Sequence, residues 1–210
     1  MIYKEKKFIF IHIPKTGGVS INKALYPFQD SVPFSYKFYN KFLSLKKRKI
    51  YPKYLMLPMH TKANDYKIFL GNEYYDYFTF AISRNPFDWH VSLYEFIRSK
   101  KEHRYHNMVV DMNFDNFVNW KINNELVLQK NFVVGDDGQL IVDYVGKLEN
   151  IENDFKKIIQ KIGITTTLPH LNKTIHEKYE NYFDKKLINT VIEAYEQDFN
   201  FFNYKKRLHQ

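Results

Sequence analysis

Lys15, Thr16, Gly17, Gly18 and Ser20 stand together in a stretch whose residue types suit an anion. Adjacent glycines let backbone N–H groups converge on an oxyanion, a lysine adds a point charge, and two hydroxyls add donors. A second group sits at Arg84, just before Asn85 and Pro86, with Ser92 eight residues on. An arginine fork and a hydroxyl meeting at one place suit a terminal phosphate. Each group also has a plainer reading. The first is an ordinary tight turn with an exposed lysine; in the second, Arg84 pairs with Asp88 and Ser92 merely packs. A Walker-type loop places its lysine after the second glycine. Here Lys15 precedes both, so the usual ATP or GTP reading fits poorly.

Strands and helices must bring these residues together. Phe8-Ile9-Phe10-Ile11-His12-Ile13 is almost continuously apolar, as expected of a strand covered on both faces. It runs into the glycine turn, after which Ile21, Ala24 and Leu25 recur at helical spacing. The pattern repeats at 77–82, followed by Asn85 as a helix cap and Pro86 at the first helical position, where a missing N–H costs nothing. Further helices are expected at 114–122, 151–162 and 185–199, a turn at 135–138, a strand at 140–145 and an ordered loop at 168–173. Strands alternating with helices imply an α/β fold of P-loop-like, three-layer form, its central and mainly parallel sheet flanked by helices. The carboxyl edge of such a sheet is where ligands bind, and both turns lie there.

Composition narrows the class further. The 210 residues suit one domain spanning 1–210. Aromatics make up 18% of them, too many for a disordered chain. With no cysteine there is no disulfide scaffold, thiolate zinc site or cysteine nucleophile. No apolar run reaches bilayer length and the start does not read as a signal peptide, so a cytoplasmic protein without a membrane span is expected. The net charge is +9, and the segment 31–64 contains no acid while carrying eight Lys and Arg. That segment reads either as a solvated face or as a docking surface for an acidic glycan, with Tyr36, Phe38, Tyr39, Tyr51 and Tyr54 available to stack on sugars. No His, Asp or Glu cluster has metal-ligand spacing, and Asp136-Asp137-Gly138 reads as a hairpin turn; no metal is expected.

His12-Ile13-Pro14-Lys15-Thr16-Gly17-Gly18 resembles the 5′-phosphosulfate loop of the PAPS-dependent sulfotransferases, especially the carbohydrate branch and its bacterial relatives. Phe80 to Tyr94, with Arg84-Asn85-Pro86-Phe87-Asp88 and Ser92, is similar to the 3′-phosphate motif of that family. The likeness continues through 144–155 and 168–174, and is weakest in the basic segment. It implies PAPS (3′-phosphoadenosine 5′-phosphosulfate) as co-substrate and PAP as product. Lys15 would contact the bridging oxygen between phosphate and sulfate. Amides around Gly17, Gly18 and Val19 and the hydroxyls of Thr16 and Ser20 would hold the oxyanions, and Arg84 and Ser92 the 3′-phosphate. His60 resembles the catalytic base of the saccharide enzymes, and Gly146 and Lys147 would line the nucleotide site. Val19 stands where relatives often carry Thr, and Trp89 where an Arg is frequent.

The implied reaction is sulfuryl transfer to a hydroxyl, by in-line displacement, with Lys15 stabilising the leaving group and His60 as general base. A 55–57 strand would put His60 at a strand-to-helix transition. His12, inside the first strand, reads as a hydrogen-bonded core residue, while His90, His170 and His176 stay open as alternatives. The expected partner is a saccharide or glycan; other hydroxylated acceptors and an amine also fit. Two other functions were weighed. A P-loop kinase would need Mg²⁺ ligands and a lysine after the glycines. A nucleic-acid-binding module would match the charge and the rings, but no such motif accompanies them.

Overall fold

The computed structural model describes residues 1–31, 57–169 and 178–208. The bulk of the basic segment, residues 55 and 56 of the expected strand, and residues 170–173 of the expected loop fall outside these, as do His170 and His176. Leu57 lies in a bend.

Among the described residues four strands form one sheet in the order β1 (Ile2–Tyr3), β2 (Phe8–Ile11), β3 (Phe78–Ser83), β4 (Tyr144–Lys147). β1 is antiparallel to β2, whereas β2, β3 and β4 are parallel, with Phe10 opposite Phe80 and Ile82 opposite Gly146. The helices are α1 (Gly18–Leu25), α2 (Ala63–Leu70), α3 (Pro86–Ser99), α4 (His106–Val109), α5 (Phe114–Glu125), α6 (Ile151–Ile162), α7 (Lys185–Ala194) and α8 (Glu196–Phe201).

Side-chain alternation along the strands builds the layers. Phe8, Phe10, Phe80 and Ile82 face Ile21, Ala24 and Leu25 of α1 and Phe155 and Ile158 of α6. Ile9, Ile11 and Ala81 point to the opposite face, into a core shared with Ala63 and Tyr66 of α2. Residues 8–11 are all fully buried, which is why this strand reads as continuously apolar. A third cluster joins Phe87, Val91 and Tyr94 of α3 to Phe117 of α5, Val191 of α7 and Phe199 of α8. Each large ring buried in this way contributes about 1.5–3 kcal/mol. The P-loop-like α/β fold is therefore the one expected.

Two boundaries differ from expectation. The last strand begins at Tyr144, because Leu140 instead bridges Val134 across the 135–138 hairpin, closed by Gly138 N–H to Gly135 O at 3.0 Å. The helix expected over 185–199 breaks at Tyr195. That break turns Asp198 inward, where its carboxylate accepts the N–H groups of Gln129 and Lys130, both at 2.8 Å.

Candidate active site

In the first turn, β2 leads into two residues with left-handed backbone, Lys15 (φ 64°) and Gly17 (φ 81°). Gly17 is also the N-cap of α1 and supplies no side chain to it, and no acid occupies the first helical turn. Among the described residues the N–H groups of Gly18 and Val19 thus stay open to something outside the helix, as does the positive end of its dipole. Ser20 N–H, by contrast, closes on Gly17 O at 3.1 Å. Close packing fixes this backbone. A Cβ on Gly18 would lie 1.8 Å from Nε2 of His12, and one on Gly17 2.8 Å from Cδ1 of Leu148. The Thr16 hydroxyl is fully buried and donates to Ile13 O at 2.9 Å. It closes the turn, so the expected role of this hydroxyl toward an oxyanion is taken by an internal bond. Val19 is exposed and Ser20 half-buried at the start of α1.

The second turn is finished differently. Asn85 caps α3 by accepting the N–H of Phe87 at 3.0 Å, and Pro86 opens the helix. Arg84 is 8% exposed and grips Asp88 with two parallel bonds, Nε at 2.9 Å and Nη2 at 2.7 Å. The plainer reading of this pair is therefore part of the structure. It does not exhaust the guanidinium, which has five N–H donors. A third goes to Lys15 O at 3.1 Å, and two have no partner among the described residues. Ser92 is buried on the same face of α3, one turn beyond Asp88.

These contacts weld the two turns together. Arg84 reaches Lys15 O, and Nε1 of Trp89 donates to Pro14 O at 2.9 Å. Position 89 thus makes a neutral tie between α3 and the glycine turn. From the end of β4, Glu149 accepts the Asn85 N–H at 2.6 Å and the Tyr204 hydroxyl at 3.0 Å, and Tyr204 meets Ser83 at 3.0 Å. Behind Arg84, Gln129 pairs its side-chain amide with the arginine's N–H and C=O at 2.9 and 2.8 Å. Gln129 is held in turn by Asp198, whose buried carboxyl is pushed up to about 6. The Lys15 ammonium is half-buried, and burial, with Arg84 and Lys100 adding repulsion, lowers it to about 8. Concentrated positive charge with little compensating acid is an anion site.

His60 lies in an exposed turn just before α2. Its Nδ1 is 2.9 Å from His12 O, and the two rings are 4.6 Å apart. His60 therefore rests on the strand end that leads into Lys15. His12 is buried as expected but not hydrogen-bonded through its Nδ1, which has no partner among the described residues. Burial is the main reason that its ring is driven down to about 3, so it stays neutral. His90 is fully enclosed, donates its Nδ1–H to Pro86 O at 2.7 Å, and has no route to an acceptor substrate.

Gly146 and Lys147, expected to line the nucleotide site, make close contacts at β4. A Cβ on Gly146 would meet Cδ1 of Ile82 at 2.7 Å and Cβ of Asp154 at 2.9 Å. Lys147 lays its ammonium over the Tyr204 ring, 4.4 Å from the centroid, and bonds Asn203 O. Sequence reasoning missed Gln129, Glu149, Asp198 and Tyr204 because each reaches the turns only through tertiary contact. Among the described residues no three His, Asp or Glu gather in a metal-binding arrangement, and no helix is long and apolar enough to cross a membrane.

A parallel sheet whose carboxyl edge carries two anion-directed turns defines a phosphate-handling α/β protein. Residues 1–205 match the sulfotransferase family, and the chain belongs to it, as a PAPS-dependent sulfotransferase. Family membership decides between sulfuryl transfer and the kinase reading. Among solved structures, mouse sulfotransferase SULT7A1 complexed with PAP shares the fold at a TM-score of 0.50 and 17% identity, over 92% of this chain and 84% of that one. No curated protein sequence gives a significant match.

Proposed function

We propose that this sulfotransferase moves the sulfuryl group of PAPS to a saccharide hydroxyl, with Lys15 and the glycine-turn amides stabilising the leaving group and His60 as general base. The observation that carries this reading is the 2.9 Å bond between His60 Nδ1 and His12 O. A carbonyl oxygen only accepts, so Nδ1 must hold the proton. In neutral His60 the lone pair is then on Nε2. The bond also ties the base to His12, the residue that follows β2 and leads into Lys15, so base and cation hang from one stretch of backbone.

The chemistry assigned to these residues balances simply. The S–O bond to the acceptor oxygen forms as the S–O bond to the 5′-phosphate breaks. His60 Nε2 takes the acceptor's proton, and the electron pair of the broken bond stays on the phosphate oxygen of PAP. Negative charge grows on that oxygen during the step. Fixed donors aimed there favour the transition state over the ground state. The two unused donors of Arg84 and the Ser92 hydroxyl suit the 3′-phosphate; the bond to Asp88 holds the guanidinium plane in place beforehand.

The fit to PAPS is supported by unspent donors: an N-cap without a side chain, a guanidinium with two N–H groups left, and a cation lacking a carboxylate partner among the described residues. The saccharide acceptor is supported by the likeness to the carbohydrate branch and by the exposure of His60, which admits a bulky acceptor. Incubation with ³⁵S-labelled PAPS and separated polysaccharide, oligosaccharide, lipid and small-metabolite fractions tests it. Label in saccharide is expected; label only in small phenols or amines would refute the acceptor class while leaving the donor site standing. Separately, 3′,5′-ADP should raise the Tm by roughly 5–11 °C at a hundredfold excess over Kd, and ATP with Mg²⁺ should do far less.

A further inference from the structure

Lys15 has an unusual partner for a lysine in a charged site. Asp88, the acid on the neighbouring helix, is taken on both oxygens by Arg84. The Lys15 ammonium instead lies 3.9 Å from the centroid of the Phe96 ring. Asp88, Ser92 and Phe96 are four residues apart on α3, so they share one stripe of that helix.

A ring face and a carboxylate hold a cation in different ways. The quadrupole of the ring attracts the ammonium, more strongly as water is excluded, but cancels none of its charge. A carboxylate in the same place would neutralise the site and would have to be pulled away before an anionic donor could be served. The ring also acts where the charge needs help, because burial and the neighbouring Arg84 and Lys100 work against the ammonium.

We propose that Phe96 is a positioning residue for sulfuryl transfer: its ring face holds the Lys15 ammonium on the α3 stripe shared with Asp88 and Ser92, within the glycine turn's reach and with its charge uncancelled. The role rests on the reading of Lys15 as the leaving-group cation. Phe96 touches no reacting atom and acts through the lysine.

Graded fluorination at position 96 separates ring electrostatics from packing, since fluorine drains the π face with little change of shape. Mono-, di- and trifluorophenylalanine are placed at 96 in the full chain, alongside Phe96→Leu and Phe96→Trp. One readout is labelling of Lys15 by an amine reagent against pH, mapped to its peptide. The other is PAP release from PAPS with water as acceptor. Each added fluorine should make Lys15 more reactive and slow PAP release in step, reaching roughly 2–30-fold for Phe96→Leu, with 3′,5′-ADP affinity unchanged within about threefold. Phe96→Trp should restore the rate. Flat Lys15 reactivity across the series overturns the contact. Rising reactivity with unchanged PAP release overturns the positioning role. Near-normal PAP release by Lys15→Ala would instead remove the reading of Lys15 itself, and with it the catalytic meaning of the ring, whatever the labelling shows.

Discussion

The turn after β2 and the turn after β3 occupy equivalent places in the sheet but are finished in opposite ways. At the second, Asn85 caps α3, Pro86 opens it, and Arg84 is fixed by Asp88, Gln129 and Lys15 O. At the first, Gly17 caps α1 with no side chain, and Lys15 rests on a ring. One turn spends its bonds on rigidity, and the other keeps its donors free. For sulfuryl transfer the difference is sensible. The 3′-phosphate does not change during the reaction and wants a rigid grip, whereas charge develops at the bridging oxygen and wants donors with nothing else to bind.

Substitutions should break this contrast in order of size. His60→Ala is expected to lower turnover by roughly 10²–10⁴, the usual worth of a general base, with 3′,5′-ADP affinity and Tm nearly unchanged because the ring is exposed. Steady-state kinetics beside calorimetry would show this; a collapse of nucleotide binding would move His60 into the fold or the donor site. Lys15→Ala should cost about 10²–10³ in turnover with the fold intact. As Lys15 loses its proton above about pH 8, kcat/KM for PAPS in the native enzyme should fall there, and this limb should vanish in the variant.

Gly18→Ala sharpens the contrast from the packing side. Its Cβ would strike the His12 ring, so both donor affinity and Tm should drop. Adding His12→Ala makes room while keeping the His12 carbonyl that His60 uses, and should recover part of the loss. Failure of any recovery in the double variant would show that the ring is not what demands glycine.

Acid should undo the fold through the same histidines. Folding holds His12 down to about 3 and His90 to about 4, both mainly by burial, against an ordinary 6.5. The unfolded chain therefore binds more protons below about pH 6.5, so the stability these two rings confer is complete above that value and is lost as pH falls toward 4. Asp198, raised to about 6, acts in the opposite sense over the lower part of this window. Two histidines against one carboxyl leave these three groups a net uptake near one proton, or about 1.4 kcal/mol per pH unit. The buried N-terminal ammonium, held down to about 4, adds to the fall in the same sense. Thermal scans between pH 6.5 and 4.5 should show the fall, with a shallower slope in His90→Gln. The smallest effect belongs to the finished turn: Asn85→Ala should cost about 1 kcal/mol, hence roughly 2–4 °C in Tm.

Residues that act through their own backbone were legible in the chain. Gly17 and Gly18 announce a turn, Asn85-Pro86 announces a helix start, and the apolar run at 8–13 announces a buried parallel strand. Their effects are local, so order and spacing are enough. Lys15, Arg84 and Ser92 could be picked out for the same reason. The Arg84–Asp88 pair follows from helical spacing as well, yet spacing alone left two outcomes open, a closed pair or a phosphate grip. The structure shows that a guanidinium paired with Asp88 still has donors to spare.

What the order of residues settled by itself is the alternation of strands and helices, the two turns at one sheet edge and the family to which the chain belongs, since all of these are written in short stretches whose conformations are chosen locally. Folding alone decided that Trp89 bonds Pro14 O, that Gln129 and Asp198 brace Arg84, that Phe96 lies under Lys15, and that His12 offers its carbonyl to His60. Each of those contacts joins residues dozens of positions apart. No local pattern encodes them, because they exist only once hydrophobic burial has packed the helices against the sheet.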